Sequence, residues 1–148
     1  MIHDPQHTIT AARPLADMRL ALTFADGYQA TVDLTDWSHR KPLSALADAG
    51  IFASARVDAL GGYVVWIDDD LELAADNLRN LAVEQSGGIG HERLWNWMDR
   101  NKLTQERAAA AIGISRRMLG YYLAGAKPIP LTVWLACQGW EYTQGKAA

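Results

Sequence analysis

The side chains best equipped for chemistry at a charged surface lie between Leu103 and Pro128. Arg116 and Arg117 stand side by side after Ser115, a residue type that caps helix N-termini. Each guanidinium is a planar fork of donors that matches phosphate oxygens or the O6 and N7 edge of guanine. A helix N-terminus adds unpaired backbone N–H groups that favour the same anions. Gln105, at the start of a preceding helix, suits a phosphate contact together with that helix's own N-terminus. Lys127, just past the second helix, is a further cation for a phosphate, and Tyr121 fits a thymine methyl or a backbone contact. The chemistry these groups could do is non-covalent recognition of double-stranded DNA, with Gln105, Ser115, Arg116, Arg117, Gly120, Tyr121 and Lys127 as the candidate contacts and a solvated helix start as the plainer reading of the arginine pair.

Two short helices across a tight turn must position these groups. Thr104 is an N-cap for the first, with Arg107 where a reciprocal capping box would hold Glu or Gln. Small side chains from Ala108 to Ala111 allow close helix approach, and Gly113 supplies the corner. Ser115 opens the second helix, Gly125 fits its C′ position and Pro128 prevents continuation. Ala108, Ile112, Ile114, Leu119 and Tyr122 form the predicted shared core, which turns Arg116, Arg117, Gly120 and Tyr121 outward.

Residues Leu103-Thr104-Gln105, Ala108-Ala109, Gly113-Ile114-Ser115, Leu119 and Gly125-x-Lys127-Pro128 resemble the lambda-repressor-like helix-turn-helix family. The chain departs from that pattern at Gly120, where the family usually has serine, and at Leu123, where an acidic residue is common. The resemblance implies an all-α repressor-like DNA-binding domain and supports the contacts given above at the positions that match. Since one such module makes few contacts, a homodimer is expected, its reading helices roughly 34 Å apart on a near-palindromic site.

The 148 residues suffice for one medium domain or two small ones. The net charge of −3 hides an asymmetry. Acidic residues are a clear majority before His91, whereas from there onward eight Lys and Arg face only Glu92, Asp99, Glu106 and Glu141. An acidic half joined to a basic half suits a nucleic-acid reader with a separate partner domain. No apolar run is long enough to cross a bilayer and no signal-peptide pattern opens the chain, so a cytoplasmic location without membrane attachment is expected. Cys137 is the only cysteine, which leaves no internal disulfide or cysteine zinc site.

Before the linker, a strand is predicted over 8–12. Met18, Leu20, Leu22 and Phe24 then alternate with polar or small residues, Asp26-Gly27 marks a hairpin turn, and Tyr28, Ala30, Val32 and Leu34 alternate on the way back. A helix is expected with Leu43, Leu46, Ala47 and Ile51 on one face, closing near Gly50 and Phe52 before an irregular passage to Val57. The run Tyr63 to Ile67 reads as a strand covered on both faces, 68–70 as a turn, and 74–85 as a helix with Leu78, Leu81 and Ala82 inward. The expected fold is therefore an α+β domain over 1–86, a small mainly antiparallel sheet with two helices. A glycine-rich linker over 87–91 joins it to the all-α domain over 92–148. In the latter, Leu94, Trp95, Trp97 and Met98 should line one helix, and Leu131, Trp134, Leu135 and Gln138 should line a last one beginning near Pro130. Trp140 and Tyr142 should lie in a tail that packs back or anchors a dimer.

Pro14-Leu15, Leu20-x-Leu22-x-Phe24-x-Asp26-Gly27, Val32-Asp33-Leu34 and Gly62-x-Val64-x-Trp66 resemble the bacterial domain-of-unknown-function family 2442. Some members of that family are fused to a helix-turn-helix domain, and others stand beside small toxins in the position of an antitoxin. The resemblance thus implies an alternative to the DNA-binding regulator: an interaction module that neutralises a toxin-like partner protein and only regulates itself through DNA.

Other chemistry finds little support. Asp68, Asp69, Asp70 and Glu72 lack the interleaved spacing and distal Glu of a calcium loop and read as a solvated turn. His3, His7, His39 and His91 are scattered and announce no metal site. Gly61-Gly62 and Gly87-Gly88 lack the spacing of a nucleotide cradle, and no nucleophile elbow occurs. Neither a cofactor nor an enzymatic activity is expected.

Overall fold

The computed structural model describes residues 4–67 and 71–146. The turn expected over 68–70 and the side chain of His3 lie outside the described residues. The chain divides into two compact units, Met1–Gln85 and Ser86–Ala148.

In the first unit β1 (Ile9–Leu15), β2 (Arg19–Phe24) and β3 (Gln29–Asp33) form an antiparallel sheet in that order. The β2–β3 register sets Leu20 against Val32 and Leu22 against Ala30. Leu20, Leu22, Phe24 and Val32 are buried while Arg19, Gln29, Thr31 and Asp33 are exposed, so the period of two places one face on the core. At the β2–β3 turn Gly27 adopts φ 92°, and the Tyr28 N–H donates to Asp26 Oδ1 at 3.1 Å. β1 extends beyond the predicted strand, since Leu15 still pairs with Arg19.

A second antiparallel sheet joins β4 (Arg56–Val57), β5 (Tyr63–Val65) and β6 (Glu72–Ala74). Among the described residues the unit therefore has two small sheets where the sequence pattern suggests one. The first expected helix is also different: 3-10 turns over Trp37–His39 and Lys41–Ala47 precede the one-turn helix α1 (Ala49–Phe52). Pro42 sits in the first turn of the second of these, and the Asp48 side chain accepts from the Gly50 and Ile51 N–H groups. That cap starts a new helix where the periodicity suggests the old one should end. Leu46 still points inward and is buried.

The Tyr63–Ile67 run is not covered on both faces. Val64, Val65 and Trp66 are buried, but Tyr63 is 41% and Ile67 69% exposed. The Trp66 indole N–H donates to the Phe52 carbonyl at 3.2 Å and ties α1 to this sheet. α2 (Ala75–Gln85) buries Leu78 and Ala82, and its last residue closes the edge of β3: the Gln85 amide pairs with both the N–H and the C=O of Asp33. Arg79 of α2 makes a bidentate pair with Asp26 at 3.0 and 2.9 Å and donates to the Gln6 carbonyl at 3.1 Å. Its guanidinium lies 4.0 Å from the Tyr28 ring centroid and 4.9 Å from that of Phe24. The Arg79 hydrogen bonds hold the Asp26 carboxyl below the usual carboxylate range.

The second unit is helical: α3 (His91–Arg100), α4 (Gln105–Ile112), α5 (Arg116–Leu123) and α6 (Leu131–Lys146). Its core gathers Leu94, Trp97, Ala108, Leu119, Val133 and Cys137 among others. Trp95 departs from its expected inward place: it is 45% exposed, and its indole donates to the Leu123 carbonyl at 2.9 Å. On α6 the inward residues are Val133 and Cys137, not Leu131 and Leu135. The helix runs on through Gly139, so Trp140 comes round to the core and meets Trp97 edge to face at 5.7 Å. Trp140 thus packs back within its own unit and is half-buried there. Arg100 and Asn101 at the end of α3 bind the Glu141 carboxylate at 2.7 to 3.0 Å, which pins α6 further.

Candidate nucleic-acid interface

α5 is held at both ends by bonds its sequence specifies. Thr104 Oγ1 accepts from the Arg107 N–H at 3.2 Å and starts α4. Gly113, at φ 74°, ends α4, and the Ile114 N–H reaches back to the Ala109 carbonyl at 3.0 Å. This left-handed closure turns the chain within two residues, and a side chain at Gly113 would strain it. Ser115 Oγ then accepts from the Met118 N–H at 3.0 Å, capping α5. At the far end Gly125, at φ 70°, lets the Ala126 N–H bond the Tyr121 carbonyl at 2.9 Å and its own N–H bond that of Tyr122 at 3.1 Å. Ala108 and Ala109 on α4 and Leu119, Tyr122 and Leu123 on α5 are buried, while Ile112 and Ile114 are half-buried at their margin.

With that side buried, Ser115, Arg116, Arg117 and Lys127 are exposed, and Gln105, Gly120 and Tyr121 are half-buried. The structure brings three of the candidates into contact. Arg117 Nε–H donates to Tyr121 Oη at 2.9 Å, with its guanidinium 5.6 Å from the ring centroid. The Lys127 ammonium lies 4.6 Å over the same ring. Tyr121, expected to touch DNA itself, is a platform between two cations. The i, i+4 spacing of Arg117 and Tyr121 is a signal for this contact that the sequence does carry. Arg117 is exposed and uses Nε on the hydroxyl, and its two terminal amino groups make a fork of the kind that fits a guanine edge or a phosphate. A Cβ on Gly120 would meet nothing within 4 Å, so the fold itself does not require glycine there; the bare backbone leaves room for close approach on the outward side.

Other groups offer less. Burial keeps the Cys137 thiol protonated, with its pKa pushed up to about 12, and a protonated thiol is a poor nucleophile. Burial also lowers the pKa of His7, against the opposing pull of Asp76 and Asp4. Among the described residues no three His, Cys, Asp or Glu side chains converge as metal ligands. A hollow of about 430 Å³ in the first unit is walled mainly by apolar groups, among them Pro14, Leu15, Met18, Leu46 and Phe52, with Asp17 also in its lining. No helix of the described residues is long and apolar enough to cross a membrane.

The family described as "Protein of unknown function (DUF2442)" matches residues 9–84. The chain is also similar to the crystal structure of "Putative DNA Binding Protein NE0471" from Nitrosomonas europaea. The two sequences are 40% identical, the likeness covers 93% of this chain and 88% of that one, and the TM-score is 0.85. No curated protein matches the chain.

Proposed function

The chain belongs to the DUF2442 family, and from that premise we propose that it is a double-stranded-DNA-binding transcriptional regulator. The 86–148 unit is its helix-turn-helix reader. The observation that carries this reading is the outward face of a doubly capped α5, where Arg117 and Lys127 are exposed on either side of Tyr121 and Arg116 is exposed beside Arg117 in the chain. The Nitrosomonas europaea protein's description supports the same ligand.

In this reading α5 enters the major groove. Arg117 offers its terminal amino groups to a guanine edge, and Arg116 serves a neighbouring base or phosphate. Lys127 and the Gln105 end of α4 grip the flanking backbone and fix the register without reading sequence. Two copies act together on a near-palindrome, with half-sites one helical turn apart. The first unit then serves as dimeriser, partner binder or sensor, and the protein works in the cytoplasm.

The acidic surplus before His91 favours one second reading, an antitoxin-like protein whose first unit neutralises a basic partner protein. Selection of bound duplexes from a random pool tests the regulator directly. Enrichment of a two-fold symmetric motif is expected; a pool that stays random after several rounds would defeat it.

A further inference from the structure

α6 is apolar on two opposite sides. Val133, Cys137 and Trp140 belong to the core of its own unit. On the other side Leu131, Leu135 and Tyr142 are 62%, 53% and 65% exposed. Gln138 lies between the last two and is exposed as well. The steps from 131 to 135, 138 and 142 are four, three and four, the spacing that keeps side chains on one seam when two helices interlock. No charged residue occurs from Leu131 through Trp140. A surface helix ordinarily carries charged side chains opposite its core. An exposed apolar line in place of them is the mark of a covered face. Gly139 flanks the seam, and a Cβ there would meet nothing within 4 Å. Glycine weakens a helix interior, so its use where space is open fits close approach by a second backbone.

We propose that this face is the seam between two copies of the chain, α6 against α6 around a two-fold axis. Such a contact must be complementary to itself, and an uncharged seam sets no charge against its like. A strongly charged partner would find nothing on it to pair with. The choice of a second copy also rests in part on the proposed function, which needs two reading helices on one site. The sixteen-residue helix is about 24 Å long. Its sixteen residues, of which one face makes the seam, are fewer than the roughly 20–30 a side of a standard interface. Association in free solution is therefore weak, on the order of micromolar, and is strengthened when one duplex holds both copies.

The test is the mass of the full chain in sedimentation equilibrium, without DNA, from about 1 to 200 µM. The wild type is expected to pass from monomer to dimer. Leu135→Glu should weaken association at least tenfold with an unchanged helical circular-dichroism signal. Gln138→Cys supplies a check that does not depend on that variant folding. Because Cys137 is buried, a short bismaleimide should link two copies of Gln138→Cys and none of the wild type. A wild type monomeric at every concentration overturns the seam, whatever then covers α6. So does a dimer that Leu135→Glu leaves unchanged and Gln138→Cys fails to link. Since no DNA is present, such a failure leaves the DNA reading standing. A linked dimer that enriches no duplex would sink the DNA reading alone.

Discussion

Arg79 in the first unit and Arg117 in the second both lay a guanidinium against a tyrosine ring, and the difference between them separates structure from recognition. Arg79 has a carboxylate on its fork, a carbonyl on one of its nitrogens and two rings beneath it, and its side chain is only 12% exposed. Its charge is neutralised at home. Arg117 donates through Nε to a neutral hydroxyl, lies over the same tyrosine's ring and stands exposed, with Lys127 against that ring as well. A cation ordered by an aromatic group keeps its charge for an outside anion, whereas one ordered by a carboxylate does not. The same contrast runs through the second unit, where Arg100 is bound by Glu141 and so falls outside the proposed interface.

Substitutions can break this comparison at either end. The largest effect belongs to Arg79→Ala, which strands Asp26 and opens the stack on Phe24 and Tyr28. It should cost about 2–3 kcal/mol in urea denaturation and leave DNA affinity unaltered once folded. Arg117→Ala should do the reverse. Stability should change by less than about 0.5 kcal/mol, while binding to the selected duplex weakens by about 1–3 kcal/mol and preference relaxes at one base position. Equal losses on selected and random duplexes would reduce Arg117 to a phosphate contact.

Asp26→Asn sharpens the first end of the contrast, at about 1 kcal/mol near neutral pH. The folded pKa of Asp26 lies below its unfolded value, so the pair's stabilisation is present above the unfolded value and is lost as pH falls through the folded one. The gap between wild type and variant should therefore shrink below about pH 4, measured as denaturation midpoints across pH. Tyr121→Phe should have the smallest effect. It keeps the ring under Lys127 but removes the acceptor for Arg117, and should cost roughly 0.5 kcal/mol of binding with no change in stability. A Phe variant that binds like the wild type would show that the hydroxyl does not position Arg117.

How much of this was legible in the sequence varied with how many answers the pattern allowed. The β2–β3 hairpin has one buried face, so alternation from Leu20 to Phe24 identifies it, and Asp26-Gly27 fixes the turn. The caps at Thr104, Ser115 and Gly125 could be read because each residue type satisfies specific backbone groups. α6 could not be oriented by periodicity, because a helix apolar on two sides offers two equally good inward faces. The 41–52 stretch misled because Leu43, Leu46 and Ile51 keep helical spacing across the break that Asp48 makes. At Tyr63 to Ile67 an unbroken apolar run concealed how short β5 is and how Tyr63 and Ile67, at the two ends of the run, reach solvent. In the interface, the outward residues followed from the core residues, but the role of Tyr121 did not: residue type shows that it can meet a cation, and only the fold shows that it meets two.

The central claim is that the exposed cations Arg116, Arg117 and Lys127 hold duplex DNA. Fluorescence-anisotropy titration of the selected duplex over a salt series measures this most directly. If Arg116 and Lys127 of each copy neutralise phosphates while Arg117 reads a base, log K should fall with log salt at a slope of roughly −3.6 for a dimer, and Lys127→Ala should make it shallower by about 0.9 per copy. A wild-type protein that shows no salt-dependent affinity for any duplex would contradict the account.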